Sequence, residues 1–232
     1  MLKKEIKEIL EGSKKTGWVL EPDAKMIMRL AGLDVPEYVH ARTIEEAVSF
    51  AASKGYPLVA KVVSPDILHK SDVGGVVVGI RDEEELKKTF EGFSRMNGFV
   101  GAVVEEMASG VELIIGAKID PQFGPVVLTG IGGVGVEIYK DTAIRMAPLK
   151  ADDIPPMIAD IRARKLLEGY RGADPVDMGV LSAAIVAFSE LVMELEPYIE
   201  SIDLNPVMCS ASRCVVADAR IILKGTAPGV PS

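Results

Sequence analysis

Residues 57–76 constrain this chain more than any other stretch. Leu58-Val59-Ala60-Lys61-Val62-Val63 is a β-branched apolar run with one lysine inside it. A polar loop with Asp66, His69, Lys70 and Asp72 follows, then Gly74-Gly75 and a second apolar run, Val76-Val77-Val78-Gly79-Ile80. The two runs predict buried strands. Burying an ammonium is costly unless a counter-charge meets it. No acid stands nearby on the strand, so the partner of Lys61 comes from elsewhere, either a nucleotide phosphate or a distant carboxylate. Two strands joined by a polar loop with Gly74 and Gly75 form a flap that can lie over phosphates, because glycine lets backbone N–H groups approach closely.

The rest of the composition bounds the class. The chain has 232 residues, 48% of them hydrophobic, and a mean hydropathy of +0.25. That is enough for one large domain or two lobes with a substantial core. The apolar runs read as shorter than the ~18 residues of a membrane span, so no membrane association is expected. The short runs broken by glycine and charge read as strands of a mixed sheet. A net charge of −8 and a pI of about 5.0 argue against nucleic acid as a partner. Residues 1–11 are charged and helical in pattern rather than a signal peptide. Cys209 and Cys214 are the only cysteines and are read as reduced core thiols. The expected location is cytoplasmic.

Along the chain, Leu2, Ile6, Ile9 and Leu10 mark an amphipathic helix. Pro22 starts a second helix with Met26, Ile27 and Leu30 inward, ended by Gly32. Thr43 with Glu46, and Asp82 with Glu85, have the spacing of helix N-caps. Apolar strand runs follow at residues 100–104, 111–119, 126–131 and 145–149, then a helical stretch over 153–195 interrupted at 169–175. Strands at 201–204 and 215–223 precede a loose Gly/Pro tail. A boundary is expected as a hinge near residues 105–110.

Two further constellations carry chemistry. Asp203 and Asn205 share one strand face, with Pro206 ending the ladder. Thirteen residues after Asn205, Asp218 stands in an apolar run. A hairpin brings Asn205 and Asp218 together as oxygen ligands for Mg²⁺, which takes one or two protein oxygens and completes its shell with phosphate and water. The alternative is that Asp203 and Asp218 cap turns or pair with an arginine such as Arg220. The second constellation is the glycine turn at 130–135, with Gly132 and Gly133, followed by Glu137, Lys140, Asp141 and Arg145. It matches neither the dinucleotide fingerprint nor a Walker A loop. Arg145, in apolar company, either neutralises a transferring phosphoryl group or forms a buried ion pair with Asp141 or Glu137.

Taken together, these segments resemble the ATP-grasp nucleotide-binding (beta) subunit of NDP-forming acyl-CoA synthetases. The resemblance rests on the Lys61 strand with residues 64–75, the Gly130-Ile131-Gly132-Gly133 turn with Lys140, Asp141 and Arg145, Gly169-Tyr170-Arg171-Gly172, and Asp203-Leu204-Asn205-Pro206 with Asp218. It covers about residues 15–225. It implies an α+β fold of two lobes holding the nucleotide between them: an N-terminal helix over 1–20, one lobe over 21–105, a second over 106–225, and a tail over 226–232. It implies that Lys61 contacts phosphates and that Glu105, Glu106 and Met107 form the hinge holding adenine. Glu112 then binds ribose hydroxyls, and Gly132, Gly133 and Arg145 line the phosphate end. Asn205 and Asp218 hold Mg²⁺ beside ATP or ADP, with Asp203 a candidate catalytic residue. His69 matches a transiently phosphorylated histidine.

His69 also has a reading of its own. It sits between Asp66 and Asp72, where a carboxylate can orient one ring nitrogen and leave the other nucleophilic, and Lys70 can offset a phosphoryl charge. His40 is read as incidental. The CoA-binding half is absent from this sequence, so the resemblance implies a CoA-binding alpha subunit in a hetero-oligomer, plausibly two of each. The implied reaction is acyl-CoA + ADP + phosphate ⇌ acid + CoA + ATP. A stand-alone ATP-grasp ligase working through an acyl phosphate, and a non-catalytic nucleotide sensor, are the alternatives.

Overall fold

A computed structural model describes residues 2–133, 141–169 and 174–225. Glu137, Lys140, Tyr170, Arg171, Gly172 and the tail lie outside the described residues. The chain divides into two units. The smaller is formed by Leu20–Pro22 with Pro36–Ala108, and the larger by Met1–Val19, Asp23–Val35 and Ser109–Ser232. The N-terminal helix and most of the second helix thus group with the C-terminal sheet.

The smaller unit is a four-stranded antiparallel sheet under two helices. Its strands are β2 (Tyr38–Ala41), β3 (Leu58–Val63), β4 (Val76–Ile80) and β5 (Gly101–Glu106), in the order β2-β5-β3-β4. Helix α3 (Ile44–Lys54) starts where the Thr43 side chain accepts from the Glu46 N–H at 3.4 Å. Helix α4 (Glu83–Ser94) starts where the Asp82 side chain accepts from the Glu85 N–H at 2.9 Å. Both caps lie where the sequence predicts them. One sheet face, with Leu58, Ala60, Val62 and Val104, packs against Ala47, Ala51, Leu86 and Phe93 of these helices. Each such large apolar side chain removed from water contributes about 1.5–3 kcal/mol, so this face holds the unit together. Strand alternation turns Val59, Lys61, Val103 and Glu105 to the other face.

The larger unit is a seven-stranded antiparallel sheet. Its strands are β1 (Trp18–Val19), β6 (Val111–Asp120), β7 (Gly124–Ile131), β8 (Thr142–Met146), β9 (Ile199–Cys209), β10 (Cys214–Val216) and β11 (Ala219–Leu223). The order is β1-β11-β9-β6-β7-β8, with β10 also paired to β9. Strand β9 continues through Pro206 to Cys209, so the ladder does not stop where the proline predicts. The β6–β9 register shifts between Leu113 and Ile115, and this irregularity accommodates the missing N–H. The unit also holds α1 (Lys4–Ser13), most of α2 (Glu21–Leu30), α5 (Ile154–Ala159) and α6 (Met178–Leu195). In α2, Ile27 and Met28 are buried while Met26 is 39% exposed, so the inward stripe is rotated from the predicted one.

Helix α6 is 18 residues long and apolar enough by length and composition to cross a membrane, contrary to the reading that no run reaches that length. In this fold α6 buries Leu181, Ile185, Phe188, Val192 and Leu195 and packs on β6, β7 and β9. The cysteines also differ from expectation. Cys209 and Cys214 face each other across the β9–β10 hairpin and are joined in a disulfide, because the register sets the two Cα atoms 4.1 Å apart.

Candidate functional site

In the smaller unit, Lys61 lies in the second strand position facing away from the helices, next to β5. Its ammonium donates to Glu21 Oε1 at 2.9 Å and pairs with Glu105 Oε1 at 2.8 Å. The counter-charge is therefore a pair of distant carboxylates, the second of the two alternatives the sequence leaves open. Glu105 enters through its side chain, a role its place in the adenine hinge does not imply. Glu21 opens α2, where the helix dipole favours an acid. Its other oxygen pairs with Lys70. Two ammonium groups thus face two carboxylates in an enclosed cluster.

The His69 loop is anchored at both ends. At its start the Ser64 hydroxyl donates to the Asn97 carbonyl at 2.7 Å and accepts from the Asp66 N–H at 3.0 Å. At its end a short 3₁₀ turn, Ser71–Val73, leads into the glycine pair. The Gly74 N–H donates to the Ser71 carbonyl at 3.2 Å and the Gly75 N–H to the Lys70 carbonyl at 2.7 Å. Both amides serve the loop itself, which corrects the expectation that they cradle phosphate. Position 75 must be glycine for a steric reason: a Cβ there would lie 2.5 Å from Val62 Cγ1 and 2.9 Å from the Lys70 carbonyl oxygen. Between these anchors His69 is exposed, while the Lys70 side chain turns inward and is only 13% exposed. In the unmodified chain Lys70 therefore answers Glu21.

The same unit contains a hollow of about 430 Å³ lined by Tyr56, Pro57, Val78, Gly79, Arg81 and Met107. That volume suits a small organic ligand. Val78 and Met107 offer it exposed apolar surface. Burial, then the charges of Glu83 and Asp82, push the Tyr56 phenol above its ordinary range, so it stays protonated as a donor. Of the hinge residues, Glu106 closes β5 and Met107 follows it into the hollow. The sequence reading missed Tyr56, Val78 and Arg81.

In the larger unit, β6, β9 and β11 present polar groups on one face. The Asp203 carboxylate accepts from Arg220 Nη2 at 3.1 Å across β9–β11, the arginine pairing that the sequence left open. Asn205 stands two residues along β9 and is exposed. Asp218 precedes β11, and its N–H and that of Ala217 both approach the Pro206 carbonyl, at 3.4 and 3.0 Å. Asn205 and Asp218 are thereby brought to one end of the β9–β11 pair. The Asp218 side chain accepts from the Ala219 N–H at 2.9 Å. Among the described residues no three His, Cys, Asp or Glu side chains converge. A divalent ion there would take two hard protein oxygens and need phosphate and water for the rest, which fits Mg²⁺ chemistry.

Glu112, exposed on β6, meets the glycine turn. Its carbonyl accepts from the Gly132 N–H at 2.6 Å. A Cβ at Gly133, where φ is +80°, would sit 3.3 Å from Glu112 Oε2. The structure thus joins Glu112, Gly132 and Gly133. It does not join Arg145 to them. Arg145 pairs with Val127, a core-facing residue of β7, so strand alternation sends its side chain to the helical side. There Nη2 meets Asp160 Oδ2 at 2.6 Å. The predicted phosphate-facing arginine is therefore corrected to one half of a structural ion pair. Asp141, one of its two expected partners, accepts instead from the N–H groups of Arg162 and Ala163 at 2.8 and 2.7 Å.

Known proteins resemble this chain in sequence and in fold. The ATP-grasp domain family matches residues 12–223. The beta subunit of ADP-forming acetate–CoA ligase I from Pyrococcus furiosus is 42% identical, over 94% of this chain and 97% of that one. The ADP-forming acetate–CoA ligase I of Archaeoglobus fulgidus is 37% identical over 94% of this chain, but the match spans 32% of that longer protein. A solved structure of the dinucleotide forming acetyl-coenzyme A synthetase 1 of Ca. Korarchaeum cryptofilum holds coenzyme A and Mg-AMPPCP, with its phosphohistidine segment pointing towards the nucleotide binding site. It aligns at a TM-score of 0.83 and 40% identity, covering 94% of this chain and 100% of that one. On this sequence and structural similarity, the chain belongs to the ATP-grasp family, within the group of beta subunits of ADP-forming acyl-CoA synthetases.

Proposed function

We propose that this chain performs the nucleotide half of an ADP-forming acyl-CoA synthetase, with His69 as the phosphoryl carrier. The observation that carries the reading is His69 itself, exposed at the apex of a loop anchored at both ends, on the unit that bears Lys61 and the 430 Å³ hollow. The hollow would take the nucleobase, with Met107 and Val78 against its faces and Tyr56 as a donor. Lys61 is the cation assigned to the phosphates; an ammonium has three donors, so it would meet them without leaving Glu21 and Glu105. Glu112, beside Gly132 and Gly133, is assigned to the ribose and phosphate end. Asn205 and Asp218 would hold Mg²⁺, which when bound neutralises phosphate charge.

In the ATP-forming direction, a phosphorylated His69 gives up its phosphoryl group to the β-phosphate oxygen of ADP. The P–N bond breaks, the new P–O bond forms, and the electron pair returns to the imidazole. Little covalent work falls to the protein, so positioning and charge dominate. The acid and CoA are assigned to an alpha subunit, since the longer Archaeoglobus relative carries much more chain than this one. Two copies of each subunit, and a cytoplasmic location, complete the proposal.

Replacing His69 with Ala is the test. In the assembled enzyme it should abolish ATP formation while Mg·ADP binding persists, and γ-labelled ATP should leave an acid-labile, base-stable adduct on residue 69 of the wild type only. Near-normal turnover by His69→Ala would defeat the reading. The isolated chain should bind nucleotide yet make no acyl-CoA.

A further inference from the structure

The residue after His69 has a place that the phosphoryl-transfer reading does not use. Lys70 is the point at which the loop is tied down twice. Its carbonyl accepts from the N–H groups of Gly75 at 2.7 Å and Val73 at 3.3 Å, and its ammonium reaches inward to Glu21. Glu21 is 4% exposed at the side chain, and its carboxylate is shared: one oxygen meets Lys70, the other meets Lys61 at 2.9 Å. Lys61 is in turn held by Glu105 at 2.8 Å.

Sharing determines what happens if Lys70 leaves. A buried carboxylate stripped of its only cation is strongly destabilising. Glu21 would not be stripped, because Lys61 remains on its other oxygen. Lys70 would give up the Glu21 carboxylate, and a new anion within its reach would compensate. A phosphoryl group on the preceding residue is such an anion, carrying up to about two negative charges and three acceptor oxygens. Lysine suits this exchange better than arginine: it is a point charge on a flexible stem, with no bidentate geometry to break. Glu21 stays in place at the start of α2, where the helix dipole favours it.

We propose that Glu21 is a positioning residue that latches the His69 segment through Lys70, and that phosphorylation of His69 opens the latch by drawing Lys70 to the phosphoryl group. Unmodified, the segment is held against the nucleotide-binding unit. Phosphorylated, it is released to travel to the acceptor site on the partner subunit. The inference rests on His69 as the phosphoryl carrier, and its test separates the two.

Hydrogen–deuterium exchange over residues 66–75 reads the latch in the assembled enzyme, and the acid-labile label on His69 reads the carrier. In the wild type, phosphorylation by Mg·ATP should raise exchange in the segment about tenfold. Lys70→Met should show that raised exchange without phosphorylation and gain little more on labelling. Lys70→Arg should restore the protection of the unmodified wild type. Wild-type protection in Lys70→Met, or a labelled wild type whose segment exchanges no faster than the unlabelled one, overturns the latch. Failure to label His69 overturns the carrier, while Lys70→Met still decides whether Lys70 holds the segment.

Discussion

Lys61 Nζ lies 2.8 Å from Glu105 Oε1 across the paired strands β3 and β5, with side-chain exposures of 7% and 2%. So enclosed a pair contributes little when intact and is costly when halved, because the surviving charge has no water to turn to. Lys61→Met should therefore lower unfolding stability by about 3–5 kcal/mol, measured by urea denaturation. Adding Glu105→Gln should recover part of that loss. Simple additivity in the double-mutant cycle would show that the two groups are not coupled.

Asp218 offers a cleaner separation of binding from folding. Its carboxylate accepts the Ala219 N–H, and an asparagine oxygen can keep that bond. Asp218→Asn should leave the melting temperature nearly unchanged while weakening Mg·ADP binding about tenfold or more, or ~1.4 kcal/mol. Calorimetric titration of the folded variant checks this, and unaltered Mg·ADP affinity removes Asp218 from the metal site.

For Arg145, the ion pair with Asp160 is partly exposed, at 34% and 59% of the two side chains. Such pairs contribute roughly 0–1 kcal/mol. Arg145→Ala should destabilise the protein by no more than about that amount, and ATP formation should stay within about threefold of wild type, a change of ~0.7 kcal/mol. A loss of several hundredfold in kcat would restore Arg145 to the phosphoryl site.

The Cys209–Cys214 bridge closes a short loop across a hairpin. Chain-entropy estimates for so small a loop give about 2 kcal/mol. Thermal unfolding with and without thiol reductant should show a loss of that order, and Cys214→Ser should be insensitive to the reductant. Equal stability in both conditions would mean that the bridge contributes nothing.

What was legible in the sequence was local. The Thr43–Glu46 and Asp82–Glu85 caps and the β3 run each have their determinants within a few residues, and each lies where it was expected. The gathering of Asn205 and Asp218 was legible too, although β11 returns to β9 after the intervening β10 and not through the single hairpin expected. What failed depended on partners far along the chain. Glu21 is 40 residues from Lys61, and nothing in an acid beside Pro22 says that it will be buried. The side taken by Arg145 follows from the β7–β8 register, which its own apolar neighbours do not encode. Pro206 reads as a strand end because the register shift that accommodates it belongs partly to β6. The two-residue strand β1 is too short to show any alternation.

The strand order of the larger unit also has a consequence for biosynthesis. Strand β11, near the end of the chain, lies between β1, near its beginning, and β9. While the chain is still emerging from the ribosome, β1 therefore has no partner, and its hydrogen-bonding edge waits for about 200 residues of further synthesis. The smaller unit needs only segments up to Ala108 and can complete its sheet long before then. The smaller unit is thus built early from nearby segments, and the larger closes only when β11 arrives.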